Sequence, residues 1–226
     1  MREDVVAVLN QLEEALVQQA QPELAAGMKA YMKHRFDFIG IQKPLRTEIC
    51  KPYFKALQAL KANPVDILRF CWSKHEREWQ YVGMDFALKS PKNWPPDWLA
   101  TMEYCITHKS WWDTVDLLAV HGVGGWLKDK PELQAQTVAR WRHSKQLWLE
   151  RSTLLFQLMY KGNTNHALLA DLCVQFADSK AFFIQKAMGW ALRQYVRTDA
   201  QWVQNFVANN TLPKLSQREA LKNVGN

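Results

Sequence analysis

Four short stretches, Trp72-Ser73-Lys74-His75, Thr107-His108-Lys109-Ser110, His143-Ser144-Lys145-Gln146 and Asp178-Ser179-Lys180-Ala181, each place a polar junction before an aromatic-rich segment of helical character. Their lysines stand 35, 36 and 35 residues apart. That step is the length of a two-helix repeat, in which each helix pair buries its apolar face by stacking on the next. The spacing predicts four stacked helix pairs. The expected fold is an all-α, HEAT-like solenoid over residues 1–226, a single domain with irregular helices capping both ends.

Composition agrees with that expectation. The chain has 226 residues, 48% apolar and 12% aromatic, which supplies a core and excludes a disordered chain. Nine glycines are too few turn residues for a many-stranded barrel or sandwich, and no segment alternates as a strand would. Helix starts are legible at Asn63-Pro64, at Asp129-Lys130-Pro131-Glu132 and at Asp199. Ser216 with Glu219 reads as a capping box opening a helix before Ala220-Leu221. The stretch from Pro91 to Pro96 reads as a loop, and about a dozen helices are expected in all.

The first thirty residues carry Arg2, Glu3, Asp4, Glu13, Glu14, Glu23 and Lys29, so no apolar signal core is present. No stretch is long and apolar enough for a membrane span. Cys50, Cys71, Cys105 and Cys173 lack metal-ligand or redox spacing and sit among apolar neighbours, which predicts buried reduced thiols and a cytoplasmic protein. The six histidines show no ligand spacing and are expected at the surface or at caps. Gly122-Val123-Gly124-Gly125 has neither the spacing nor the lysine of a nucleotide loop. No metal or cofactor is implied. With 29 Lys and Arg against 22 Asp and Glu, the formal charge of +7 suits a polyanionic partner as well as a solvated basic surface.

The repeat register gathers scattered residues into a candidate site. Counted from the junction lysines, Trp112 stands at plus 3, Asp116 at plus 7, Arg151 at plus 6 and Trp190 at plus 10. At about 100° per residue these offsets span an arc of roughly 100° on equivalent helices. Two indoles, a carboxylate and a guanidinium would then line one concave surface. Each has a plainer role available: tryptophans are usually packing, and Asp116 and Arg151 could simply pair to join two repeats.

The run Lys109-Ser110-Trp111-Trp112-Asp113-Thr114-Val115-Asp116 resembles the signature of the AlkD family of DNA alkylation repair glycosylases. So do Arg151 with Leu154-Leu155-Phe156-Gln157-Leu158, and Phe182-Phe183-Ile184-Gln185-Lys186-Ala187 leading to Gly189-Trp190. Tyr31-Met32-Lys33 through Phe38-Ile39-Gly40-Ile41-Gln42, and Leu215 to Lys222, extend the likeness over nearly the whole chain, with Lys74 and Pro91 to Pro96 matching less well.

The resemblance implies an enzyme that removes cationic N3- or N7-alkylated purines from double-stranded DNA. It implies Asp116 as the catalytic carboxylate, with Trp112 and Trp190 beside the lesion's deoxyribose. Arg151 would hold backbone phosphate and Tyr31 would stand beside the lesion. Lys109, Lys145, Arg193 and Gln42 are further candidates for DNA contact, and a monomer is expected. A cationic purine is already a good leaving group and needs no general acid. Breaking its N-glycosidic bond moves positive charge onto the sugar, which a fixed carboxylate stabilises by about 3 to 4 kcal/mol. The π faces of the indoles suit the same cation. A non-catalytic binder of duplex or branched DNA is the alternative reading of these residues.

Overall fold

The structure, a computed structural model, describes residues 1–89, 94–222 and 224. It is all-helical, with no strand among the described residues, and follows the helical-repeat pattern that the junction spacing predicts. The chain divides into two compact units, Met1–Thr101 and Met102–Asn226.

The first unit holds α1 (Glu3–Gln18), α2 (Pro22–Tyr31), α3 (Lys43–Ala59), α4 (Pro64–Ser73) and α5 (Arg77–Ala87). On α1, buried Val5, Leu9, Leu12 and Leu16 recur every three or four residues, forming one apolar stripe that packs on α3. Asn63 caps α4 as expected, its side chain accepting from the Val65 N–H at 3.0 Å. The segment between Tyr31 and Gln42 has no regular structure and is fixed from α5 instead. The buried Glu78 carboxylate accepts from the N–H groups of Ile39, Gly40 and Ile41 at 2.8–3.0 Å. The buried Arg77 guanidinium stacks on Phe36 at 3.9 Å.

The boundary between the units falls within α6 (Trp98–Thr107). The second unit continues with α7 (Trp112–Leu117), a π-helical stretch Leu118–Val123, α8 (Gly124–Leu127), α9 (Pro131–Trp141) and α10 (Leu147–Leu155). After a 3₁₀ turn at Lys161–Asn163 come α11 (His166–Gln175), α12 (Phe182–Val196), α13 (Ala200–Asn209) and α14 (Lys214–Ala220). Within this unit α12 is the central helix, packed by α10, α11, α13 and α14.

All four junctions fall where the spacing places them, between α4 and α5, α6 and α7, α9 and α10, and α11 and α12. Lys109 and Lys145 share a left-handed backbone, with φ of 53° and 56°, so these two repeats turn by the same device. Lys74 departs from it. Its backbone is extended, and its ammonium reaches Glu13 at 2.5 Å.

Asp199 caps α13 through the Trp202 N–H at 2.8 Å. α9 starts at Pro131, with Lys130 before it and no side-chain cap. Pro91 and Asn93 of the expected loop lie outside the described residues, and Trp94 to Pro96 form no helix.

The capping box at Ser216 and Glu219 does not exist. α14 starts three residues after Thr211, at Lys214, and both side chains stand inside it. The Ser216 hydroxyl donates to the Gln185 carbonyl of α12 at 2.8 Å, and Glu219 also pairs with α12. Docking on α12 overrides the local motif.

The four cysteines are buried thiols outside any disulfide, and burial pushes the Cys50 and Cys173 thiols up to about 12. All six histidines are exposed. No helix is long and apolar enough to cross a membrane among the described residues.

Candidate active site

Asp116 lies in the last turn of α7, just before the backbone widens into the π-helical stretch. Such stretches are uncommon and often occur near functional residues, because they re-aim the side chains around them. The Asp116 carboxylate meets the Arg151 guanidinium of α10 in a two-pronged pair. Nε reaches Oδ1 at 2.8 Å and Nη2 reaches Oδ2 at 2.9 Å. Nη1 of Arg151 donates to the Phe183 carbonyl in the first turn of α12. One guanidinium thus ties the second helices of three successive repeats together.

The pair is largely shielded, the Arg151 side chain 5% exposed and that of Asp116 15%. Burial pushes the Asp116 carboxyl above the ordinary carboxylate range, the Arg151 guanidinium pulls it back, and the Asp113 charge one turn earlier adds to the upward push.

Trp111, Trp148 and Phe183 form the aromatic wall of this junction. Trp111 and Trp148 meet edge-to-face at 5.7 Å, and each stands 5.0 Å from Phe183. They occupy plus 2, plus 3 and plus 3 in three consecutive repeats. Sequence reading missed this cluster, although the matched offsets were its signal. Of the eleven tryptophans, Trp72, Trp79, Trp98 and Trp141 are core, whereas Trp112 and Trp190 are half-buried.

Trp112 stands one helical turn before Asp116 and so shares its face of α7. Trp190 stands seven residues after Phe183 and shares its face of α12. Its neighbour Gly189 sits against α14. A Cβ on Gly189 would lie 2.5 Å from the Glu219 Cβ and 2.9 Å from the Ser216 carbonyl, so only glycine admits α14 this closely. Glu219 bridges two cations of α12, Lys186 at 2.9 Å and Arg193 at 2.5 Å. Hydrogen bonds from Lys186 and then Arg193 hold its carboxyl down at about 2.

Arg193 is therefore engaged by a carboxylate of its own chain. Lys109 is half-buried and Lys145 exposed, each at its left-handed junction. Gly122-Val123-Gly124-Gly125 has a packing explanation, since a Cβ on Gly124 would lie 2.0 Å from the Phe156 carbonyl. The Gly124 carbonyl accepts from the Tyr160 hydroxyl at 2.8 Å.

Tyr31 and Gln42 belong to the first unit. Tyr31 is 68% exposed at the end of α2, and Gln42 precedes α3. Both line one cavity of about 350 Å³, with Phe38 and Tyr81.

Residues 12–224 match the model of a family described as DNA alkylation repair enzyme. A solved structure described as a predicted DNA alkylation repair enzyme from Enterococcus faecalis superposes with a TM-score of 0.84 at 35% sequence identity, covering 92% of this chain and 97% of that one. No curated protein matches. With a family match over nearly all of its length and a solved relative of the same extent, the chain belongs to the DNA alkylation repair enzyme family.

Proposed function

We propose that the protein is a DNA glycosylase that excises cationic N3- and N7-alkylated purines, such as 7-methylguanine and 3-methyladenine, from duplex DNA. The observation that carries this reading is a largely shielded carboxylate held in fixed orientation by a guanidinium, with half-buried indoles on the adjoining helix faces.

In the reaction the C1′–N bond breaks with its electron pair going to the purine, which leaves neutral because it began as a cation. The positive charge passes to the sugar. The Asp116 carboxylate faces that charge in partly water-excluded surroundings, where a fixed anion is most effective. It also orients the water that attacks C1′, and that water's proton goes to solvent. Trp112 and Trp190 present π faces to the sugar cation.

Arg151 serves Asp116 first, since three of its five N–H groups are committed within the protein. A backbone phosphate has two left to use. Lys109, Lys145, Arg193, Tyr31 and Gln42 complete the proposed contacts to duplex DNA. The protein is proposed to act as a cytoplasmic monomer without a cofactor.

The test is release of free base from duplex DNA carrying 7-methylguanine under single-turnover conditions. Release by the wild-type protein supports the glycosylase. Tight, salt-sensitive duplex binding without release would establish the non-catalytic binder instead.

A further inference from the structure

Within the second unit, a cavity of about 270 Å³ opens between the C-terminal ends of α10 and α12 and the start of α11. Its apolar floor includes Leu154 and Leu158, and its polar lining includes Gln194, Thr198, Lys161 and Arg197. No carboxylate lines it. Asp199, the nearest acid in the chain to Arg197, accepts from the Trp202 N–H as the cap of α13. Lys161 and Arg197 are both exposed, and neither makes a side-chain hydrogen bond or ion pair with a described residue.

Elsewhere in this unit, Arg140, Arg142, Arg151, Lys186 and Arg193 are each matched to a carboxylate. Other exposed cations of this unit, such as Lys128 and Lys180, also lack a carboxylate partner among the described residues, but Lys161 and Arg197 share the lining of one cavity that holds no carboxylate. The lining also has a direction. Leu154 stands one turn beyond Arg151 on α10, and Gln194 one turn beyond Trp190 on α12, so the cavity continues the helix faces that carry those two residues.

We infer that this cavity holds a deoxyribose-phosphate of the duplex backbone at a distance from the lesion, with Lys161 and Arg197 on the phosphodiester oxygens. The apolar floor meets the carbon face of the sugar, and the amide and hydroxyl of Gln194 and Thr198 meet its ester oxygens. Contacts of this kind set the position of the protein on DNA without reading sequence. The inference rests on the duplex-binding part of the proposed function and adds a grip that the family resemblance does not name.

The test is affinity for undamaged duplex across a salt series, comparing wild type with the Lys161→Ala/Arg197→Ala double variant. Both side chains are exposed and unpaired, so the melting temperature should stay unchanged and report an intact fold. Losing two phosphate contacts makes the plot of log K against log salt shallower by about 1.8, since each contact contributes about 0.9. Between 50 and 200 mM salt the wild type should then lose about twelvefold more affinity than the variant.

A slope and affinity equal to wild type in the folded double variant would overturn the inference. So would an unchanged duplex slope together with loss of inorganic phosphate binding, followed by the Arg197 and Thr198 amide resonances, because the cavity would then take a free small anion. The outcome is independent of catalysis. A shallower slope in a protein that releases no base sinks the glycosylase and keeps the cavity. Base release by wild type beside an unchanged slope in the variant does the reverse.

Discussion

Arg151 grips Asp116 with two nitrogens, Nε and Nη2, each on a different carboxylate oxygen. The anion proposed to stabilise the sugar cation is thus also half of the link between α7 and α10. Burial favours its protonated form and the guanidinium favours its ionised form. The proposed mechanism thus couples catalysis to stability at this pair, and variants at its two ends separate them.

Arg151→Ala should leave a shielded carboxylate without its counter-charge and the Phe183 carbonyl without its donor. The expected loss is about 3 kcal/mol of stability, read as a lower denaturant midpoint at unchanged slope. Arg151→Lys keeps the charge but not the fork, so it should recover only part of that loss. Full stability in Arg151→Ala would mean that the pair contributes nothing to the fold.

Acid should switch excision off early. In the proposed mechanism only ionised Asp116 stabilises the sugar, and burial raises its carboxyl above the ordinary range. As pH falls, activity should therefore begin to drop at a higher pH than an ordinary carboxylate would give, and Asp116→Asn should flatten that limb. The measurement is the pH profile of single-turnover base release with duplex stability checked at each point. A wild-type rate still flat down to the ordinary carboxylate range would contradict it.

The sequence made the fold legible because repeat spacing is a global property. The same register placed Asp116 at plus 7 and Arg151 at plus 6, and these two do meet. What escaped it were contacts with no local signature. The Phe183 carbonyl is recognised through its backbone, and Trp111, Trp148 and Phe183 form a cluster only when three repeats stack. Ser216 and Glu219 carried a local signature that tertiary packing overrode. Their side chains had a better use on α12 than on their own helix end.

Glu219 should make stability depend on pH in the acid range. Its folded carboxyl sits at about 2, against an ordinary 4.5, so the folded state binds its proton less readily than the unfolded state does. The stabilisation is complete above about 4.5 and is lost as pH falls from there toward 2, amounting to at most about 3 kcal/mol. Glu219→Gln should be less stable than wild type at pH 7, with most of the difference gone by about pH 2. A constant difference across that window would assign the loss to packing.

Gly189→Ala tests whether α14 sets the position of Trp190. The added methyl meets backbone at 2.9 Å as well as the Glu219 Cβ, so α14 must move outward. The expected cost is about 1–3 kcal/mol, as for other overpacked positions. Excision should fall by more than the folded fraction does, because the indole shifts with its helix. Activity falling only in step with folding would mean that α14 does not set the position of Trp190.

Asp116→Asn separates catalysis from architecture. The amide keeps the shape of the carboxylate and removes its charge. If that charge acts on the sugar cation, excision of 7-methylguanine should drop by about two to three decades, the equivalent of roughly 3 to 4 kcal/mol. Duplex affinity should hold or rise slightly, since one negative group near phosphates is gone. The pair with Arg151 adds a second expectation. Asparagine leaves the guanidinium without its counter-charge, so the melting temperature should fall as well. The two effects are told apart by scale, because a stability loss reduces the rate only through the folded fraction, which stays near one well below the midpoint. A large rate loss in a folded, DNA-binding variant places Asp116 in the chemistry. A rate that merely follows the folded fraction makes the Asp116–Arg151 pair a structural tie between two repeats, and the carboxylate drops out of the mechanism.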